Sequence, residues 1–205
     1  MTRTPSRWRP TPRRLVRLLV GLAVFGIGEG LVVNSNLGNS PWTVFAEGVA
    51  LKTPLTIGTA TILISFALLL IWIPLGERPG LGTILNALLI GAAIDATLAV
   101  LGDAALGVRI AELLAGIGLV GFGSGLYINA AFGPGPRDGL MLGLHRRTGR
   151  PIALLRGGIE LSALAVGAVL GGTWGIGTVA FALLIGPAVA LALRLLPAGG
   201  VHPRH

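Results

Sequence analysis

The chain has 205 residues, 53% hydrophobic and 12% charged, with a mean hydropathy of +0.82 and a net charge of +8. A water-exposed surface takes about 25% charged residues, so an ordinary soluble domain is excluded and a lipid-facing surface is expected. No cysteine is present, which removes disulfides, thiol catalysis and Cys-based zinc sites.

Residues 1–14 form a basic head with Arg3, Arg7, Arg9, Arg13 and Arg14. A basic start before an apolar run resembles a signal peptide, but the run from Leu15 to about Val33 is long for one and recurs later in the chain, so it is read as a retained first helix. A membrane-crossing helix needs about 20 apolar residues. Six stretches qualify: 15–34, 54–74, 81–101, 110–130, 152–170 and 176–196. Two intervening segments, 40–53 and 135–149, each open with a proline at a helix-start position and are too short and polar to span, so each is expected to be a re-entrant or interfacial helix. A tail, 197–205, carries His202 and His205, which are read as solvated rather than as metal ligands.

The two halves align without a gap at an offset of 95 residues, with about 27 of 82 positions from Arg17 to Leu98 identical. Gly26, Gly28, Gly30, Asn34 and Pro41 answer to Gly121, Gly123, Gly125, Asn129 and Pro136. The expected fold is all-α and polytopic, with repeats at 15–101 and 110–196. Three spans per copy is an odd number, so the second copy enters from the opposite side and the repeats are inverted. The positive-inside rule puts both termini in the cytoplasm. The inner flanks then hold the head, Arg78, Arg137, Arg146, Arg147, Arg150, Arg156, Arg194 and Arg204, and the outer flanks only Lys52 and Arg109. The basic clusters flank apolar spans and carry no RNA-binding motif, so nucleic acid is not an expected partner.

Seven residues are candidates for a substrate or ion path. Glu29 lies deep in the first span, where a carboxylate must be paired, protonated or wet. Asn34 and Asn129 precede the short helices and can cap a broken backbone or bond a substrate. Arg137 and Asp138 open the second short helix, where free N–H groups can receive an anion. Arg156 and Glu160 lie four apart on one helix face, as an ion pair or as part of a gate with Arg137 and Asp138. Asp95 and Asn86 lack polar repeat partners and rank lower. The glycine rows 26–30 and 121–125 permit either close helix packing or local unwinding. No catalytic set, metal-ligand spacing or cofactor fingerprint is present, so neither an enzyme nor a cofactor is expected.

These motifs resemble the YczE/YyaS/YitT-like family of bacterial integral membrane proteins, in its YczE branch. The residues that carry the likeness are 37–42 (LGNSPW), 80–83 (GLGT), 132–141 (FGPGPRDGLM), 147–149 (RTG), Arg156 with Glu160, and 171–178 (GGTWGIGT). The resemblance implies a bacterial cytoplasmic membrane location, marks Arg137, Asp138, Arg156 and Glu160 as motif positions, and carries no substrate. The leading expectation is a small-solute or ion permease, with the lipid bilayer and further copies of the chain as partners. A non-transporting partner of another complex comes second, and an intramembrane enzyme acting on lipid third.

Overall fold

The computed structural model describes residues 7, 8 and 10–196. The tail 197–205, with His202, Arg204 and His205, and Arg3 and Arg9 of the head lie outside the described residues. The described residues form eight helices and no strand: α1 (Pro12–Ser35), α2 (Pro41–Lys52), α3 (Ile57–Leu75), α4 (Leu81–Leu98), α5 (Leu106–Ala130), α6 (Pro136–Thr148), α7 (Ile152–Leu170) and α8 (Ile176–Leu195). All but α2 and α6 are long and apolar enough to cross a membrane. Prolines sit in the first turns of α1, α2 and α6, where the missing N–H has no intrahelical partner to lose. Helix α1 begins earlier than the apolar run alone suggests and takes in Arg13 and Arg14.

The starts of α2, α3 and α4 lie 95 residues before those of α6, α7 and α8. At the centre, α1 packs on α5. A Cβ at Gly28 would sit 2.7 Å from the Gly116 carbonyl oxygen, and one at Gly123 would sit 2.6 Å from that of Gly21. Early residues of one helix therefore meet late residues of the other, and the pair runs antiparallel with backbone against backbone. The glycine rows serve this close approach. Unwinding does not occur, because α1 and α5 are continuous through both rows.

The ends of this pair are closed reciprocally. The Arg14 guanidinium donates to the carbonyls of Ala130 (2.9 Å) and Ala131 (3.0 Å), the last of α5. Arg109, its repeat counterpart, donates to Ser35 and Asn36 (both 2.6 Å), the last of α1. Carbonyls at a helix C-terminus have no intrahelical donor, and a cation there also meets the negative end of the helix dipole. The expected caps, Asn34 and Asn129, do not fill that role. The left-handed C-cap residues are Asn36 (φ 49°) and Ala131 (φ 55°). Asn34 donates to Gly102 and Glu112, and Asn129 to Leu196, each tying helix ends together.

Helices α4 and α8 flank the central pair, giving one layer in the order α4, α1, α5, α8. The other four helices form a second layer, in which α2 packs on α7 and α3 on α6. Gly38 (φ 120°) and Gly133 (φ 110°) turn the chain from the central pair into the short helices. There the Leu37 carbonyl accepts from Gly177 N (2.8 Å) and the Phe132 carbonyl from Gly82 N (3.0 Å), so each turn docks on the flanking helix of the other half. Both short helices begin inside the bundle. Trp42 of α2 and Leu140 of α6 share one buried cluster with Leu68 of α3 and Ala163 of α7. From there α2 runs out to Gly167 at the end of α7, and α6 to Leu75 at the end of α3.

The central seam predicts a contrast between glycines. Gly28→Leu should lower the midpoint of thermal unfolding in detergent by several degrees, because overpacking a filled interface costs about 1–3 kcal/mol or more. Gly118→Ala, with open space at its Cα, should leave the midpoint unchanged or raise it. Equal effects of the two would contradict the packing role.

Candidate functional site

Between the two layers lies a cavity of about 1030 Å³. Five of the seven residues expected at a path line it: Glu29, Arg137, Asp138, Arg156 and Glu160. Asn34 and Asn129 do not, since each is spent on the helix-end bonds described above. The N-termini of both short helices open onto the cavity through Ser40, Pro41 and Trp42 on one side and Gly135, Pro136 and Arg137 on the other.

Glu29 is 1% exposed and sits at the N-terminus of α2. Its Oε2 accepts from the hydroxyls of Ser40 (2.9 Å) and Thr43 (2.7 Å), the N-cap and third residue of that helix. A carboxylate there is favoured by the helix dipole as well as by its hydrogen bonds. It reaches α2 across a helix interface, so the burial that makes a carboxylate costly is offset by dedicated donors. Its Oε1 is buried and has no hydrogen-bond partner. The first short helix thus has one of the protein's own carboxylates at its N-terminus.

The second half solves the same problem differently. The repeat counterpart of Glu29 is Ser124, whose hydroxyl turns back to the Val120 carbonyl (2.7 Å), and the counterpart of Thr43 is Asp138. The carboxylate has moved from the central helix to the short helix itself, where it lies in the first turn and accepts from the Tyr127 hydroxyl (2.9 Å). Three further positions have diverged in the same way. Trp42, Thr61 and Ser65 answer to Arg137, Arg156 and Glu160, and all six line the cavity. One wall therefore carries hydroxyls and an indole where the other carries charges.

Arg137 lies over the Trp42 ring, 5.1 Å from its centre, a cation–π contact. Arg156 and Glu160, although four apart on α7, do not form the ion pair that their spacing allows. Neither Arg156 nor Arg137 makes an ion pair or a hydrogen bond among the described residues. Glu160 has Arg137, Arg156 and Glu29 as charged neighbours and is approached by the Trp42 indole N–H. That N–H is buried and meets no hydrogen-bond geometry.

Sequence reasoning missed three features here. Thr61, Ser65 and Tyr127 read as ordinary residues of apolar spans; their signal is that the first two occupy the counterpart positions of Arg156 and Glu160. Asn86, ranked low, lines the cavity beside Asp138. Asp95, also ranked low, lies outside it and binds the start of α3, accepting from Thr56 Oγ1 (2.5 Å) and Gly58 N (2.8 Å).

Residues 12–194 match the model of a family described as a family of unknown function, DUF6198. The chain is 42% identical over 192 residues to an uncharacterised protein of Haemophilus influenzae, covering 93% of this chain and 88% of that one. It is 35% identical over 172 residues to the uncharacterised membrane protein YczE of Bacillus subtilis, covering 81% of this chain and 79% of the relative. It is 31% identical over 164 residues to the uncharacterised protein YyaS of the same organism, covering 78% and 82%. No solved structure matches. The chain belongs to the DUF6198 family, its likeness to YczE and YyaS is as the motifs led us to expect, and it is a multi-pass membrane protein.

The two hydroxyl bonds to Glu29 predict a graded effect of substitution. Glu29→Leu removes the acceptor of two buried hydroxyls, and each buried polar group left without a partner costs about 1–3 kcal/mol. Partial rescue is expected from the bond between Ser40 and Thr43 (2.9 Å). The unfolding midpoint in detergent should fall clearly for Glu29→Leu and less for Glu29→Gln, which keeps an acceptor oxygen. A Leu variant as stable as the parent would remove the helix-anchoring role.

Proposed function

We propose that this member of DUF6198 is a small-solute permease of the bacterial cytoplasmic membrane, a carrier rather than an enzyme, that works by alternating access between inverted repeats. The observation that carries the reading is a mismatch between two seams that the repeat makes equivalent. In the first half, α3 and α4 are sealed. A Cβ at Gly91 would clash with Ile62 and with the Gly58 carbonyl, and Asp95 clasps Thr56 and Gly58 across the seam. In the second half, α7 and α8 are parted. Gly186, the counterpart of Gly91, has open space at its Cα, as have Gly157 and Gly158. The cavity reaches into this gap, between Ala153 and Gly157 on α7 and Ala182 and Gly186 on α8. The counterparts of Thr56, Gly58 and Asp95 are Pro151, Ala153 and Ala190, which carry neither hydroxyl nor carboxylate and cannot form the same clasp.

Two arrangements of one repeat unit, one sealed and one parted, are what a carrier exchanges between its states. The antiparallel central pair supports a pseudo-twofold axis in the membrane plane, with α2 and α6 as re-entrant helices entering from opposite faces. Arg14, Arg78, Arg146, Arg147 and Arg150 lie at the end of the bundle where α1 begins, and Lys52 and Arg109 at the other, which supports cytoplasmic termini. In that orientation the cavity opens toward the cytoplasm and the Asp95 clasp closes the outer side.

The chain has no cysteine, so a single introduced thiol reports alone. Gly157→Cys should react readily with a soluble maleimide and Ile62→Cys slowly. Adding Asp95→Ala to Ile62→Cys should raise its labelling several-fold as the outer seam loosens. Reconstituted protein should drive uptake of at least one solute from a broad panel above the level of empty liposomes, with Asp95→Ala altering the rate. Absence of flux across the panel, together with Ile62→Cys labelling that ignores Asp95→Ala, would rule the carrier out.

A further inference from the structure

We infer that the cavity binds a small organic anion with an apolar body, its carboxylate or phosphate oxygens held between the guanidiniums of Arg137 and Arg156. The inference deepens the permease reading and rests on it only in taking the cavity as the substrate path.

Two of the three carboxylates in the cavity have neutral donors of their own. Glu29 receives Ser40 and Thr43, Asp138 receives Tyr127, and Glu160 forms no hydrogen bond among the described residues. The two guanidiniums receive no acceptor among the described residues, although three carboxylates line the same cavity. A guanidinium presents five N–H donors and has no acceptor. The protein thus binds Glu29 and Asp138 without using its arginines and leaves both guanidiniums without an acceptor, Arg137 stacked on the Trp42 ring. A planar fork of this kind matches the paired oxygens of a carboxylate or phosphate and binds them in a charge-assisted, bidentate manner.

The two arginines also sit on the same half. Their repeat counterparts, Trp42 and Thr61, carry no charge. The acidic head of a ligand is therefore directed to the α6–α7 side. The facing layer offers Phe25, Ile90, Val120, Phe181 and Ile185. Ligand sites generally enclose about 300–1,000 Å³, and this cavity of about 1030 Å³ is far larger than an inorganic anion needs. Two guanidiniums without acceptors on one wall, a largely apolar wall around the Ser40- and Thr43-bound Glu29 on the other, and room between them describe an amphiphilic anion. The gap between α7 and α8 admits such a molecule either from water or as the head of a membrane lipid.

Binding is tested on the full-length protein in an uncharged maltoside detergent, with no flux measurement. Hexanoate, benzoate and hexyl phosphate should raise the unfolding midpoint saturably, and hexylamine and hexanol at matched concentrations should not. Arg137→Gln and Arg156→Gln should each weaken the anion response at least ~10-fold, the scale of one lost charge-assisted contact. Arg156, exposed and without an ion pair or hydrogen bond among the described residues, should tolerate the change with its ligand-free midpoint intact. Arg156→Lys should retain a weaker response. A second arm uses phosphatidylcholine nanodiscs with and without phosphatidylglycerol. Loss of hexanoate binding on adding phosphatidylglycerol would assign the site to a lipid head, and its persistence to a free solute; both keep the anion. A midpoint rise with hexylamine equal to that with hexanoate, or an anion response that survives the double Arg→Gln variant, would overturn the inference. Flux without anion binding leaves the permease and removes this site, and anion binding without flux does the reverse.

Discussion

Two helices can lie backbone against backbone only where no side chain stands between them. Gly21, Gly28, Gly116 and Gly123 provide that, and every other packing choice follows from the line they draw. Lipid offers no hydrophobic drive for one helix to leave it for another, so association rests on close van der Waals contact and satisfied polar groups. The glycines supply the first. Arg14 and Arg109 supply the second by each closing the helix that carries the other, at opposite ends of the pair. With the pair fixed in antiparallel register, the turns at Gly38 and Gly133 are aimed at α8 and α4 of the opposite half, and the short helices are directed into the bundle.

The result is a scaffold whose two halves share a backbone plan but divide the chemistry. Positions that touch backbone across the central pair are the same in both halves. Positions that face the cavity are not: beside Glu29, the first copy places hydroxyls and an indole where the second places arginines and acids. The seams at the two edges have also parted ways, one sealed by Asp95 and one open around Gly186. The shared backbone plan thus carries two unlike seams, and unequal side chains set the difference between them.

Most of the helices were legible because hydropathy and proline placement are local signals. The duplication was legible because its offset is constant. The cavity-lining residues were legible in part, as a charge deep in an apolar span is conspicuous wherever it points. Asn34 and Asn129 were misleading for a physical reason: a polar side chain at a helix end can serve the turn, the ligand or a neighbouring helix, and only the neighbour's position decides. Asp95 was undervalued because its partners, Thr56 and the Gly58 N–H, are unremarkable until α3 lies beside α4. The arginine exchange could have been read, since 14 and 109 stand at the repeat offset, but one lay in a cluster of basic residues that the positive-inside rule already accounted for.

The reciprocal caps also bear on how the chain is made. The carbonyls of Ser35 and Asn36 receive their donor from a residue 74 and 73 positions later, and α1 has its main partner only in α5. Nascent α1 must therefore wait in the membrane through the synthesis of three further helices, with its glycine face turned to lipid or to the insertion machinery and its last carbonyls to water. Helices α1 to α4 alone would leave the glycine face of α1 without its partner until the second half arrives.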